Sequence, residues 1–304
     1  MTRHAKNIVA VGLIATIFLY GFGAGKYRLP PHDQIVTMLR YAKDVAGFRQ
    51  TQIKKHWYQD TRFKTATRCP NHAVVIAVLG QSNASNSVPH QNHPDKKLPI
   101  FMAFNGRCYV LEDPILGTDN TLGSIWPSFA LALHKSLGKP IVIVAGAASN
   151  SRVGDWSEMR TGILQRILDQ AANLYSSSNL SVDHVIWLQG ESDAAQTQVS
   201  DRDIDANYVS KLNSVFDTLA ERIFQENKPS FFVTTTSVCF DTLEGNQVIR
   251  DSQKRIIELR QDTRFAGDTD EIGQSGRHDG CHFNRLGAES VSKMLAENFL
   301  MKTK

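Results

Sequence analysis

The sequence predicts an α/β protein, a three-layer α/β/α sandwich around a mainly parallel, doubly wound sheet. Short apolar runs rich in β-branched residues alternate with amphipathic stretches, which is the pattern of successive β-α-β units. Each run is apolar throughout, as is typical of strands buried on both faces of a parallel sheet. Of the 304 residues, 41% are hydrophobic. This fraction supplies a full core and excludes disordered, collagen-like and multi-span membrane proteins.

The first predicted element is an uncharged apolar segment at residues 8–25, behind a short positive tip at residues 1–7. As a helix the segment would be about 27 Å long, close to the thickness of a bilayer core at about 30 Å. We favour an uncleaved signal anchor, because the apolar core of a signal peptide usually has only about 7–15 residues. A cleavable signal peptide ending near Gly23-Ala24-Gly25 and a buried terminal helix are the alternatives.

Basic residues flank the apolar segment on both sides, so the charge balance gives little information on its orientation. Both export interpretations place the rest of the chain outside the cytoplasm. If the segment is kept, the rest of the chain would be anchored to the membrane and lie in the periplasm or at the cell surface. If the segment is cleaved, the rest of the chain would be secreted. We therefore expect the membrane to be a partner through this single N-terminal helix.

Residues 26–68 are predicted to be a juxtamembrane spacer, because Leu29-Pro30-Pro31 breaks any helix that leaves the membrane. Trp57 and Tyr58 lie in this stretch. We expect them to pack on the main domain rather than at a membrane surface. The domain itself is predicted over residues 69–304.

The cysteines are too few for a small disulfide scaffold in a chain of this length. Export would nevertheless permit disulfides, and four cysteines allow three pairings. We favour Cys69–Cys108 and Cys239–Cys281. Four free, buried thiols are expected instead if the export prediction fails.

Within the domain, apolar strand candidates and helix candidates alternate. The strand candidates are Ala73–Leu79, Pro140–Ala145, His184–Leu188 and Ser230–Ser237. The helix candidates are Pro127–Ser136, Ser157–Tyr175, Ile204–Gln225, Gln247–Leu259 and a final Leu286–Leu300. Residues 100–110 are predicted to be an inserted extended excursion. In sheets of this type the ligand lies at the carboxyl ends of the strands, so the residues directly after each apolar run are the informative ones.

The first strand is followed by Gly80-Gln81-Ser82-Asn83-Ala84. A serine at a tight turn after a buried strand can expose its hydroxyl, as in the G-x-S-x-G elbow, although Ala84 replaces the last glycine here. Taken alone, the serine and asparagine could equally cap the next helix.

Two further polar segments are predicted to reach the same edge of the sheet. Trp187-Leu188-Gln189-Gly190-Glu191 ends the third strand candidate, so Gln189 could direct its amide toward the serine. Near the carboxyl terminus, Asp279 precedes His282 by three residues across Gly280. A histidine that acts as a base needs an acceptor on its other ring nitrogen, and an aspartate at this spacing can supply it.

Charge and motifs exclude several partners and cofactors. The net charge is +4 with basic residues scattered along the chain, which predicts no nucleic-acid partner. There is no P-loop and no dinucleotide fingerprint. The run of His278, Asp279, Cys281 and His282 matches no standard zinc spacing. We therefore predict no metal and no cofactor.

GQSNA at 80–84, WLQGESDA at 187–194 and DGCHFNRLG at 279–287 together resemble the SGNH (GDSL-like) hydrolase superfamily. Within it they are similar to the sialate O-acetylesterase-like group, carbohydrate esterase family 6. The resemblance covers about residues 70–300 and implies a flavodoxin-like sheet. It also implies a serine esterase that needs no metal or cofactor and removes O-acetyl groups from an extracytoplasmic carbohydrate.

The resemblance also implies roles for individual residues. Ser82 would be the nucleophile, with His282 as its general base and Asp279 as the orienter of His282. The oxyanion hole would comprise the Ser82 N–H, the Gly123 N–H and the Gln189 amide. Supporting positions are Gln81, Asn83 and Glu191, and Trp156 fits a tryptophan common in the group.

Some positions depart from the family pattern. Trp126 stands before Pro127, where the group often has glycine. Gly117 or Ser124 could therefore be the backbone donor in place of Gly123. Glu191 is a second candidate carboxylate for His282.

Two other functions use the same fold. An O-acetyltransferase would pass the acyl group from the same serine to a sugar hydroxyl of an exported glycan. A non-catalytic glycan-binding protein would keep the fold without turnover, because fold alone does not fix function. The α/β-hydrolase lipases fit less well, since they separate the acid from the histidine and have glycine two residues after the serine.

Overall fold

The computed structural model describes residues 57–195, 201–224, 230–240 and 244–303. The predicted tip at 1–7, the apolar segment at 8–25 and the spacer up to residue 56 lie outside the described residues. Within the described ranges, no helix is both long and apolar enough to cross a membrane.

The described residues contain one eight-stranded, mostly parallel sheet. Its order is β1-β4-β3-β5-β2-β6-β7-β8. The strand β4 pairs antiparallel with β1 and with β3, whereas β3, β5, β2, β6, β7 and β8 are all parallel. In chain order the strands are β1 Ala66–Thr67, β2 Val74–Gly80, β3 Ile100–Phe104, β4 Arg107–Val110, β5 Ile141–Ala145, β6 His184–Leu188, β7 Phe231–Thr235 and β8 Thr263–Asp268.

The helices are α1 Trp126–Leu137, α2 Val153–Ser157, α3 Ile163–Ser178, α4 Glu191–Ala194, α5 Asp201–Arg222, α6 Gln247–Leu259 and α7 Arg285–Thr303. They form one layer on each face of the sheet. Alternate residues of β2 point to opposite faces, so Leu79 joins the core under α2, α3, α5 and α6. Val78 joins the core under α1 and α7. The predicted three-layer α/β sandwich is confirmed for these residues.

The four predicted strands are observed to within two residues at each end, because each is a buried apolar run. The helix predicted at 157–175 is instead split between α2 and α3, with a break at residues 158–162. Gly162 adopts φ 76° at this break, which ends one segment and begins the next.

Two strand regions differ from the sequence prediction. The excursion at 100–110 is a hairpin, and its first strand, β3, pairs in parallel with β5. The edge strand β8 was not predicted, because its sequence TRFAGD has no continuous apolar run. An edge strand needs to be buried on fewer sides than a central one, so its sequence signal is weaker.

Both predicted disulfides are present. Cys69–Cys108 joins the segment before β2 to β4, and Cys239–Cys281 joins the loop after β7 to the loop before α7. Trp57 and Tyr58 contact the domain, as expected. The Trp57 ring lies 4.3 Å from the Arg166 guanidinium, and the Tyr58 N–H donates to the Thr118 carbonyl oxygen.

Candidate active site

The segment after β2, residues 81–87, is here called the serine turn. It follows Gly80, the last residue of β2, which has φ 148° and lies against β6. A Cβ at this position would lie 1.9 Å from the Leu188 carbonyl oxygen. Only glycine allows the ends of β2 and β6 to approach this closely, and this brings the serine turn beside the residues that follow β6.

Ser82 opens a short 3-10 turn, Ser82–Ala84, at the end of β2. The residue is 5% exposed. Its N–H has no hydrogen-bond acceptor among the described residues, so it is available to an oxyanion. Its Oγ also has no hydrogen bond within the described ranges, including to His282. Hydrogen bonds of catalytic groups often form fully only when substrate binds.

Asn83 joins the serine turn to the segment that carries His282. Its Nδ2 donates to the Cys281 carbonyl oxygen at 3.2 Å, and its Oδ1 accepts from the Phe283 N–H at 3.4 Å. These two groups flank His282 in the chain. Asn83 therefore fixes the backbone on both sides of His282 relative to Ser82.

Residues 277–283, here called the histidine loop, form a narrow turn. The His278 N–H donates to the His282 carbonyl oxygen at 3.0 Å, and Arg277 and Phe283 form a β-bridge. Inside the turn, Asp279 Oδ1 accepts the N–H groups of Cys281 and His282 at 2.9 and 2.8 Å. The other oxygen, Oδ2, lies 2.7 Å from His282 Nδ1. The predicted Asp279–His282 pair is thus formed, with the Asp279 carboxylate facing Nδ1.

The electrostatics favour an ionised Asp279. Burial by itself would raise the pKa of Asp279, but the side-chain and backbone hydrogen bonds from His282 hold it below its usual range. A carboxylate that stays charged keeps the proton of a neutral His282 on Nδ1 and leaves Nε2 as the acceptor.

The histidine loop is also attached to its surroundings. Arg277, at the start of the loop, is buried and donates to the carbonyl oxygens of Cys281, within the loop, and of Thr269, outside it. Its guanidinium lies 4.9 Å from the Phe283 ring centroid. The Cys239–Cys281 disulfide attaches the residue next to His282 to the loop after β7. Sequence reasoning missed Arg277, because no motif marks an arginine that binds backbone carbonyls.

Glu191 is buried at the start of α4 and faces Asn83, with 2.7 Å between its Oε1 and Asn83 Nδ2. Burial raises the pKa of this carboxyl group. Asp279, and not Glu191, makes the hydrogen bond to the His282 ring. Glu191 instead orients Asn83, which orients the histidine loop.

Gln189 is fully buried, and its amide is already engaged. Its Nε2 donates to Asp193 Oδ2 at 2.6 Å and lies within hydrogen-bond distance of the Ser151 carbonyl and Gln81 Oε1. Two amide hydrogens face three internal acceptors, so none is left for an oxyanion. Gln81 joins the same cluster by accepting the Ser192 N–H at 3.0 Å. The structure therefore argues against Gln189 as an oxyanion donor.

Gly123 is also unavailable. Its N–H donates to the Val88 carbonyl at 2.7 Å. A Cβ at Gly123 would lie 1.9 Å from the His90 carbonyl oxygen, so close packing explains the glycine. The alternative donors are occupied too. The Gly117 N–H donates to Tyr58, and the backbone and hydroxyl of Ser124 bind Asp113. In this structure the N–H groups of all three candidates are therefore engaged, and the sequence does not show which N–H groups are already used.

A second carboxylate near the serine turn, the half-buried Asp119, was missed by sequence reasoning. Its Oδ1 accepts Ser85 Oγ at 2.5 Å and Ser149 Oγ at 3.0 Å, and its Oδ2 accepts the Ser149 N–H at 2.7 Å. Burial raises the pKa of Asp119 despite these bonds. Asp119 thus connects the serine turn to the loop after β5, and no sequence motif marks it.

Two tryptophans hydrogen-bond to the serine turn and to the loop after β5. Trp126 Nε1 donates to the Ala84 carbonyl oxygen at 2.7 Å. Trp156 Nε1 donates to Ser151 Oγ at 3.0 Å, and its ring meets that of Trp187 edge to face. Both indoles are fully buried, so they fix the loops while satisfying their own N–H groups.

The comparisons with known proteins agree with this geometry. The family described as carbohydrate esterase, sialic acid-specific acetylesterase matches residues 72–301. The chain belongs to this family. It is a carboxylic ester hydrolase of the SGNH, sialate O-acetylesterase-like type. Membership of this family supports the hydrolysis of O-acetyl esters of carbohydrates as its reaction.

Solved structures of similar fold include a protein from Arabidopsis thaliana, with a TM-score of 0.58 at 16% identity. That likeness covers 75% of this chain and 98% of the Arabidopsis chain. NanS has a TM-score of 0.55 at 13% identity, covering 78% of this chain and 99% of NanS. At these identities the structural similarity supports only the fold of this acetylesterase-family chain, not its activity. No curated protein is significantly similar to it in sequence.

Proposed function

We propose that this chain removes O-acetyl groups from a carbohydrate through a Ser82-His282-Asp279 triad and an acyl-enzyme intermediate. The observation that carries the proposal is the position of Asn83. It lies next to Ser82 and binds both backbone groups that flank His282. Together with the 2.7 Å contact between Asp279 and His282 Nδ1, this supports Ser82 as the nucleophile and His282 as its oriented base.

In the proposed reaction, Ser82 Oγ attacks the ester carbonyl carbon while His282 Nε2 takes the hydroxyl proton. Asp279 holds the Nδ1 proton and stabilises the imidazolium that forms. His282 then gives its proton to the leaving sugar oxygen, and the acetyl group stays on Ser82. Water activated by the same Nε2 releases acetate and restores the serine.

The Ser82 N–H is the oxyanion donor that the proposal uses. It is close to the nucleophile and has no internal acceptor among the described residues. Donors of this kind typically contribute about 10²–10³ in rate. Gln189 contributes instead by holding the loops after β5 and β6 together through Ser151 and Asp193.

The proposed substrate is an O-acetylated glycan outside the cytoplasm. The two disulfides support this location, because disulfides persist mainly in oxidising compartments. Attachment to a membrane through residues 8–25 is part of the same proposal and rests on the sequence of that segment.

Aryl acetate hydrolysis by the full chain tests the chemistry. Ser82→Ala is compared with Ser87→Ala, a matched hydroxyl deletion in the same turn. We expect turnover to be lost in Ser82→Ala and kept in Ser87→Ala, with unchanged melting temperatures. Near-normal turnover in folded Ser82→Ala would refute the serine mechanism.

Acetate release from O-acetylated glycans, measured with and without added acceptor sugar, then tests the substrate. Free acetate as the product supports the esterase. Acetyl transfer to the acceptor in preference to water would replace it with the transferase.

A further inference from the structure

We propose that His278, Asp279 and His282 form a zinc-binding site, and that zinc bound there inhibits the esterase. One ligand atom from each residue can be chosen so that all three lie within 4.8 Å of one another. The binding part of this proposal stands on these residues alone. The inhibition part rests on the proposed role of His282.

The backbone of the histidine loop creates the cluster. The hydrogen bond from the His278 N–H to the His282 carbonyl oxygen closes the turn at 3.0 Å, so the two histidines lie side by side. Their rings are nearly parallel, with an interplanar angle of 24° and centroids 5.8 Å apart. Asp279 lies between them, with its Oδ2 4.0 Å from His278 Nδ1 and 2.7 Å from His282 Nδ1.

These spacings suit zinc. Imidazole nitrogens and carboxylate oxygens bind zinc at about 2.0–2.2 Å, which puts neighbouring ligand atoms of a tetrahedral site about 3.3 Å apart. The two distances to Asp279 Oδ2 lie on either side of that value. Three protein ligands would leave the fourth position of the ion for water.

The cluster is both accessible and preorganised. The side chains of His278 and Asp279 are each 33% exposed and that of His282 is 21% exposed. An ion can therefore reach the cluster from solvent. Asp279 and His282 are fixed by hydrogen bonds within the loop, so His278 has to adjust most to close the site.

Zinc at this position would remove the base. In the resting enzyme Asp279 holds the proton of neutral His282 on Nδ1, and the lone pair on Nε2 is free for the Ser82 hydroxyl. When zinc binds, the ring proton leaves Nδ1 and moves through solvent to Nε2. The lone pair this leaves on Nδ1, together with an oxygen of Asp279, then binds the zinc ion. Nε2 then carries a proton and cannot accept one from Ser82. No proton is gained or lost overall, and zinc only exchanges water ligands for protein ligands.

The direct test is calorimetric titration of the full chain with zinc chloride, for the unmodified protein and for His278→Ala, His278→Gln and His90→Ala. His90→Ala removes an exposed histidine elsewhere. We expect at least a tenfold weaker zinc affinity in both His278 variants and an unchanged affinity in His90→Ala. Equal zinc affinity in the unmodified protein and a folded His278 variant would overturn the proposal.

Inhibition is measured in parallel on aryl acetate turnover. Without zinc, both His278 variants should keep the basal rate, since His278 has no part in the proposed reaction. The zinc concentration for half-inhibition should rise at least tenfold in them, and a chelator should restore activity. Unchanged zinc sensitivity would refute the inhibitory role.

Ser82→Ala separates the two proposals, because it should still bind zinc when it has no turnover. Zinc binding lost in His278→Ala but kept in Ser82→Ala supports the site, even if the triad proves wrong.

Discussion

The serine turn and the histidine loop meet at one edge of the sheet, but different kinds of contact hold them. The serine turn is buried and is fixed by residues distant in sequence: Ser85 binds Asp119, and Asn86 binds the backbone of Ile115. The histidine loop is partly exposed and is fixed from within by Asp279 and by the backbone hydrogen bond between His278 and His282. Asn83 and the Cys239–Cys281 disulfide attach it to the rest of the fold. The proposed nucleophile thus depends on the whole fold, and the proposed base depends largely on a short local turn.

The two aspartates show the same difference electrostatically. Burial dominates at Asp119 and raises its pKa. At Asp279 the hydrogen bonds from His282 outweigh burial and lower the pKa. One carboxylate is therefore destabilised by its surroundings, and the other is stabilised by them.

The largest expected effect comes from removing the proposed base, His282. His282→Ala should lower kcat by about 10⁴-fold or more, because neither the attack nor the departure step then has a proton acceptor or donor. His278→Ala, four residues earlier in the same loop, is the matched control and should keep the basal rate. Comparable losses in both variants would mean that the loop acts only structurally.

Breaking the link between the two segments should have the next largest effect. Asn83→Ala removes both bonds to the backbone around His282 and leaves Glu191 without its side-chain partner. We expect a loss of kcat of about 10–100-fold and of stability of about 1–3 kcal/mol. Kinetics and urea unfolding measure the two effects.

Glu191→Gln serves as the companion to Asn83→Ala. It keeps an oxygen acceptor for Asn83 and should lose much less activity. An Asn83→Ala enzyme with normal kcat would show that the histidine loop positions itself without the serine turn.

Removing each of the two disulfides in turn distinguishes an effect on activity from an effect on stability. Replacing Cys239 and Cys281 together with serine should lower kcat about tenfold, because Cys281 adjoins His282. The same replacement at Cys69 and Cys108 should leave kcat unchanged. Both double variants should lose stability of about 2–4 kcal/mol. Equal kcat in the two would show that the Cys239–Cys281 bond has no role in positioning the base.

The smallest expected effect concerns the pH dependence of stability, which should have opposite signs for Asp279 and Asp119. The folded-state pKa of Asp279 is below its ordinary 3.8, so its contribution to stability is present above that pH and is lost as the pH falls. The stability deficit of Asp279→Asn should therefore shrink below about pH 4.

The folded-state pKa of Asp119 lies above 3.8, so the protein loses stability as rising pH ionises this half-buried group. Asp119→Asn cannot ionise and should gain stability relative to the unmodified protein as the pH rises. Urea unfolding between pH 3 and pH 7 measures both trends. If the stability difference from the unmodified protein changed with pH in the same direction for both variants, the opposite pKa shifts of Asp279 and Asp119 would be contradicted.

Some of the site was predictable because its contacts are local. The pairing of Asp279 with His282 spans three residues, so their spacing indicated it directly. The central strands were predicted because each is a continuous apolar run. The Cys239–Cys281 pair was also predicted correctly, and Cys281 directly precedes His282 in the chain.

The oxyanion donors were not predictable, and neither was the role of Asn83. The Gly123 N–H and the Gln189 amide look free in the sequence, yet Val88, Asp193 and Ser151 use them in the fold. A backbone or amide hydrogen has no sequence signature that shows whether a neighbour has already accepted it.

The sequence by itself determined the sandwich, the serine turn after β2 and the local Asp279–His282 pair. Periodicity and short spacings specify local geometry, and these features need nothing more. The tertiary structure alone decided which donors remain available, that Asn83 joins the two segments, and that Asp119 supports the serine turn. The side-chain contacts of Asp119 and Asn83 join residues from 30 to 200 positions apart. They form only when the sheet brings the ends of different strands together.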